Sequence, residues 1–136
     1  MWGSRAADGI TANFHSVNRG KRGITLNLKS EAARDVLRRL IAKSDVLIQS
    51  FLPESAIRLG VDYASVCAIK PDIIYVQQSG MGAQGTYGRF RTVGPIANAF
   101  AGLSEMSGLP EPGEPAGWGY SYLDWMGAYS FARAMI

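Results

Sequence analysis

This chain of 136 residues has one cysteine, Cys67, and one histidine, His15. A single cysteine excludes an internal disulfide and a cysteine-based metal site, and no metal centre is expected. It also reads as a reducing, cytoplasmic setting. No apolar run approaches the roughly 18 residues needed to span a bilayer. Residues 1–13 lack the hydrophobic region of a signal peptide. Charge of one sign never accumulates: 14 Lys and Arg against 11 Asp and Glu leave a net +3. So mild and interspersed an excess does not indicate a nucleic-acid partner, and no membrane partner is expected. What remains is a hydrophobic share of 47%, enough for a core in one domain's length of chain.

The middle of the chain is regular. Ile24, Leu26 and Leu28 alternate with Thr25 and Asn27, which predicts a strand with one apolar face. Ser30 is placed to cap a following helix, with Glu31 in its first turn. Ala33, Val36, Leu37, Leu40 and Ile41 share one face of that helix, and Arg34, Arg38 and Arg39 lie outside it. Residues 45–50 read as a buried strand. Short helices are expected over residues 54–59 and 62–69, and Pro71 stops the second. Residues 73–78 form a third strand. Strands alternating with helices give an α/β class with βαβ units in a Rossmann-like parallel sheet.

Beyond Ser79 the texture changes. Residues 80–95 form a Gly-rich loop, residues 95–106 a helix opened by Pro95, and residues 108–119 a second Pro/Gly loop. Loops leaving the carboxyl ends of strands in such sheets build ligand sites. Gly80, Gly82 and Gly85 match the G-x-G-x-x-G spacing of dinucleotide-binding folds. That fingerprint needs a helix opening at its last glycine, and residues 86–91 lack helical periodicity, so it is set aside. Residues 123–136 read as a helix that is apolar nearly all round and has no stop signal.

Two clusters carry chemistry. Asn18, Arg19, Lys21 and Arg22 surround Gly20 just ahead of the first expected strand. Asp124 stands among Tyr120, Tyr122 and Trp125 with no Lys or Arg beside it, and an unpaired carboxylate among aromatics is costly to desolvate. A cationic cradle and an isolated carboxylate suggest a phosphate-bearing ligand brought to a nucleophile. On residue type alone, capping of the last helix is the better reading of Asp124.

Six blocks in order resemble those of the family III CoA-transferases, also called the CaiB/BaiF family and including the formyl-CoA and other acyl-CoA transferases. Asn18-x-x-Lys21-Arg22-Gly23-Ile24-Thr25-Leu26-Asn27-Leu28-Lys29 resembles the family's N-x-x-K-R-S-v-x-L-D-L-K. Asp45-Val46-Leu47-Ile48-Gln49-Ser50-Phe51-Leu52-Pro53 is similar to its A-D-V-v-v-e-N-F-r-P. Arg58-Leu59-Gly60, Lys70-Pro71-Asp72-Ile73-Ile74-Tyr75, Ser79-Gly80-Met81-Gly82 and Tyr122-Leu123-Asp124-Trp125-Met126-Gly127 match four further blocks.

The resemblance implies an enzyme that moves CoA from an acyl-CoA donor to a carboxylic acid acceptor. Asp124 would attack the thioester and form an aspartyl-acyl mixed anhydride. It implies CoA contacts from Asn18, Lys21, Arg22, Ser50, Phe51, Arg58, Leu59, Thr92 and Val93, with the cations near the phosphates. The alternative reading of those cations is a solvated surface, and of Phe51 core packing. Ser50 departs from the family's Asn. CoA and acyl-CoA are substrates here, and no permanently bound cofactor is implied.

Two other functions stay open. A racemase-like enzyme acting on an α-methylacyl-CoA would use a His before the helix at Pro95, where Arg91-Thr92-Val93-Gly94 has none; His15 reads as a loop or edge residue. A non-catalytic CoA-binding piece is the other. Residues 1–13 are expected to be irregular. Residues 14–136 are expected to be part of a large domain truncated at both ends, inactive and marginally stable alone. The full-length protein is expected to form an interlocked homodimer.

Overall fold

A computed structural model describes residues 5–111 and 113–136. Residues 1–4 of the expected N-terminal segment and Pro112 of the second Pro/Gly loop lie outside them. The chain opens with an isolated bridge between Arg5 and Thr11 and then the helix α1, Ala12–Val17. Thr11 caps it by accepting the Phe14 N–H at 3.3 Å. Six residues are too few to show a helical period, so this helix was not legible in the sequence. His15 sits within it rather than in a loop or edge, with Nε2 2.9 Å from Asp8 Oδ2.

The strand expected at Ile24, Leu26 and Leu28 is not formed. Alternation alone does not make a strand, because a strand needs a hydrogen-bonded neighbour, and no described residue pairs with this segment. Its pattern is partly kept: Leu26 and Leu28 are half-buried, while Ile24 is 63% exposed. The Arg34 Nε–H donates to the Leu28 carbonyl at 2.8 Å and fastens the segment to the next helix.

That helix, α2, runs Glu31–Ile41 with Ser30 at its N-cap, although the Ser30 side chain makes no capping bond. Leu37 and Ile41 face inward as the stripe predicts, and Leu40 stays exposed. On the outer side Arg38 bridges Glu31 and Asp35. The strand β1, Val46–Gln49, is followed by the helix α3, Pro53–Leu59, and the helix α4, Tyr63–Ile69. Gly60 ends α3 in the left-handed region at φ 71°, which a side chain would resist. Asp62 caps α4, accepting the Ser65 N–H at 3.2 Å and the Ser65 hydroxyl at 2.6 Å.

The strand β2, Ile74–Gln77, lies parallel to β1 in the register Val46↔Ile74 through Gln49↔Gln77. This is one βαβ unit of an α/β fold, with two helices in its crossover. Leu47 and Tyr75 pack against a core of Ile41, Val66 and Ile73. On the other face Val76 is buried, but Val46, Ile48 and Ile74 remain exposed. Gln49 is buried and donates through Nε2 to the Tyr75 hydroxyl at 2.9 Å, which donates to the Val61 carbonyl at 2.8 Å. The chain of bonds ties both strands to the turn between α3 and α4, and burial pushes the Tyr75 phenol up.

No helix follows Gly85; the segment turns instead, as the rejection of the dinucleotide fingerprint requires. The expected helix over residues 95–106 is two helices, α5, Gly94–Phe100, and α6, Leu103–Met106. Gly102 breaks it with φ 79°. The last helix, α7, is Tyr122–Met135. No residue of α7 is buried, and it packs on α5. No helix among the described residues is long and apolar enough to cross a membrane.

The α4 cap gives a pH-dependent contribution. Hydrogen bonding from Ser65, the hydroxyl first, holds the Asp62 carboxyl below its ordinary value. The ionised cap therefore stabilises above the unfolded carboxylate pKa, and its contribution is lost as pH falls through the lower folded value. Asp62→Ala should cost about 1 kcal/mol near neutrality. The gap to wild type should close in acid. Urea unfolding of the full-length protein across pH checks this; a gap that stays constant into strong acid would refute it.

Candidate active site

Asp124 occupies the first turn of α7, three residues after its N-cap Ser121, so it is not itself the cap. The residue is exposed, and among the described residues its carboxylate makes no hydrogen bond or ion pair. Trp118, Tyr120 and Trp125 line the same cleft as Asp124 without burying the residue. The Trp118 and Tyr122 rings lie 4.5 Å apart between centroids, and Tyr120 stands 6.1 Å from Trp118. The Trp118 Nε1–H donates to Ser107 Oγ at 2.6 Å, which fixes the loop before α7 against the end of α6.

An open cleft of about 790 Å³ runs past Asp124. Its walls are Trp118, Tyr120, Trp125, Pro95 and Val17, and its cation is Lys21. Lys21 Nζ donates to Asn18 Oδ1 at 3.2 Å, while Asn18 Nδ2 donates to the Phe14 carbonyl at the end of α1. The structure thus brings the expected nucleophile and one expected CoA cation to the same cavity. α1 supplies two lining residues, Asn13 and Val17, one turn apart, and the sequence had not pointed to them.

The other expected CoA contacts do not line this cleft. Ser50 and Phe51 follow β1 at its carboxyl end. The Phe51 N–H donates to Gln49 Oε1 at 2.6 Å and its carbonyl accepts from Gln77 Nε2 at 3.4 Å. The backbone is held by side chains from both strands, while the residue is 44% exposed, so Phe51 is not core. Arg58 and Leu59 lie in α3, where exposed Arg58 donates to Ser55 Oγ at 3.1 Å. Arg22 is exposed in the segment before α2. Thr92 packs on Gly80, and Val93 is the N-cap of α5. Arg89 pairs with Glu54 at 2.7 Å and anchors the Gly-rich loop to α3.

Two glycines lie where α7 meets its neighbours. A Cβ at Gly94, the buried first residue of α5, would come within 2.7 Å of Asp124 Oδ2 and 2.6 Å of Ser121 Cβ. A Cβ at Gly127 would run into the side-chain amide of Gln78, just past β2. Among the described residues no three His, Cys, Asp or Glu side chains group as metal ligands would.

The family model of CoA-transferase family III matches residues 1–136. The chain belongs to that family. It is 37% identical over 98 residues to an acetyl-CoA:oxalate CoA-transferase of Acetobacter aceti, covering 72% of this chain and 25% of that protein. It is 33% identical to a succinate–glutarate CoA-transferase of Agrobacterium fabrum, covering 95% of this chain and 34% of the relative. A crystal structure of a CaiB/BaiF family protein from Brucella suis superposes with a TM-score of 0.85 at 30% identity, over 99% of this chain and 38% of that one. The chain therefore spans about a quarter to a third of the length of these curated relatives.

Proposed function

We propose that the full-length protein is a CoA-transferase that moves CoA between an acyl-CoA and a carboxylic acid, with Asp124 as nucleophile. The observation that carries this reading is the unpartnered Asp124 carboxylate in a cleft shared with Lys21, in a chain of this family. An Asp124 oxygen attacks the thioester carbonyl, a C–O bond forms, the C–S bond breaks, and CoA leaves as the thiolate. The acceptor carboxylate then displaces the donor acid at the Asp124 carbonyl. The retained thiolate attacks the acceptor's acyl carbon and returns Asp124 as a carboxylate. Donor and acceptor exchange CoA with atoms and charge balanced. The relatives' names join acetyl-CoA to oxalate and succinate to glutarate, which supports a carboxylic acid on each side.

In this reading Lys21, Arg22, Asn18 and Arg58 serve the CoA phosphates, and Ser50, Phe51, Leu59, Thr92 and Val93 border the rest of the cofactor moiety. The exposed Phe51, on a backbone clamped by Gln49 and Gln77, supports a stacking role. The β1–β2 pair belongs to a wider Rossmann-like sheet, residues 14–136 are part of a larger domain, and the protein works as a cytoplasmic, interlocked homodimer. The racemase-like alternative finds less support: His15 is bound to Asp8, and Gly94 and Ser121 are the residues set against Asp124.

In the full-length protein Asp124→Asn should abolish transfer and leave the CoA dissociation constant nearly unchanged, since the amide has the carboxylate's shape but cannot form an anhydride. Steady-state transfer and a CoA titration decide it, and substantial turnover by the variant would remove Asp124 as nucleophile.

Lys21→Ala and Arg22→Ala should each weaken CoA binding by about 1–3 kcal/mol, the range of a charge-assisted hydrogen bond. Titration with CoA and with dephospho-CoA separates a role at the 3′-phosphate from one elsewhere. Unchanged affinity for both ligands would return these side chains to the solvated surface.

A further inference from the structure

Gly94 is buried in the first turn of α5, and its backbone is not in the left-handed region. Glycine is therefore not needed there for conformation, and alanine forms helix better. What the position lacks is room. The space a methyl group would fill is taken by α7: Ser121 Cβ at 2.6 Å, Asp124 Oδ2 at 2.7 Å and Ser121 Cα at 3.0 Å. Two of these are fixed atoms of Ser121, its Cα and Cβ, which cannot swing aside; the third, Asp124 Oδ2, ends the short side chain of the residue read as nucleophile and is the one a methyl group would push away. Ser121 and Asp124 are three residues apart at the start of α7 and so lie on one side of it.

We infer that Gly94 is a positioning residue for Asp124: its bare backbone is the surface against which the carboxylate is set, and any side chain there moves the carboxylate off its line of attack. The inference rests on the proposal that Asp124 is the nucleophile. It adds that the reach of this carboxylate is limited on one side by α5, so a displacement of the first turn of α7 changes the rate of attack more than the binding of CoA. Attack on a thioester requires the oxygen and carbonyl carbon in near-contact geometry, and a misplacement of about 1 Å can cost about a hundredfold.

The test is Gly94→Ala in the full-length protein, read by intact-protein mass after rapid mixing with acetyl-CoA and succinyl-CoA as probes. Wild type is expected to gain the acyl mass at Asp124. Gly94→Ala should gain it at least tenfold more slowly, with kcat reduced in step and the CoA dissociation constant within twofold. If wild type gains no acyl mass on any probe while turning it over, the Asp124 reading fails and this inference falls with it. If wild type and Gly94→Ala acylate within twofold of one another, this inference alone is overturned.

A second comparison separates positioning from packing. Ser121→Gly removes the nearest side-chain atom, so Gly94→Ala/Ser121→Gly is measured against Ser121→Gly alone. The double variant should melt close to its reference yet still acylate at least tenfold more slowly. Recovery of the acylation rate together with the melting temperature, or a double variant that does not melt cooperatively, assigns Gly94 to packing and overturns the proposal.

Discussion

Parallel pairing of β1 with β2 is the constraint on which the rest depends. Parallel neighbours cannot be joined by a tight turn, so the chain must leave β1, cross over and return. The crossover is made of α3 and α4, each bounded by its own local device: Pro53 and Gly60 for the first, Asp62 for the second. The bonds from Gln49 through Tyr75 to the Val61 carbonyl join both strands to the bend in that crossover. A buried glutamine left without those partners would be costly, so the register of the pair and the path of the crossover are set together.

The same register delivers the site. It brings the carboxyl ends of β1 and β2 side by side, with Phe51 leaving one and Gln78 the other. Gln78 meets α7 at Gly127, and α5 meets α7 at Gly94. No residue of α7 is fully buried, and the helix packs on α5 through a partly covered face that includes these two close approaches. Glycine serves at both for the absence of a side chain, not for unusual backbone angles.

Much of the fold was legible because the signals were local. The apolar stripe of α2, the short apolar runs at β1 and β2, and the stop at Pro71 all place elements where the structure has them. The segment at Ile24 and Leu28 misled because alternation reports which side chains turn inward, whereas a strand also requires a neighbour that no local pattern reveals. The break at Gly102 was missed because one glycine within an apolar stretch does not announce its sign of φ. In the candidate site, the motif pointed to Asp124 and the cation cluster to Lys21, and the two line one cleft. Gly94 was not, since its reason is a volume occupied from thirty residues further along the chain. Arg58 and Phe51 show the reverse case, with a clear motif and no shared cavity with Asp124.

The loop before α7 and the first turn of α7 differ in their tolerance to insertions. Trp118 and Ala116 fasten residues 113–120 to α6 at separate points, through Ser107 and the Ser104 carbonyl. Between those points the chain can lengthen outward over the surface. Between Ser121 and Gly127 it cannot. One added residue would rotate everything after it by about 100°. Asp124 would then no longer share a side with Ser121, or Gly127 would turn away from Gln78. Length variation among related sequences is thus expected to crowd ahead of Ser121 and to stop there.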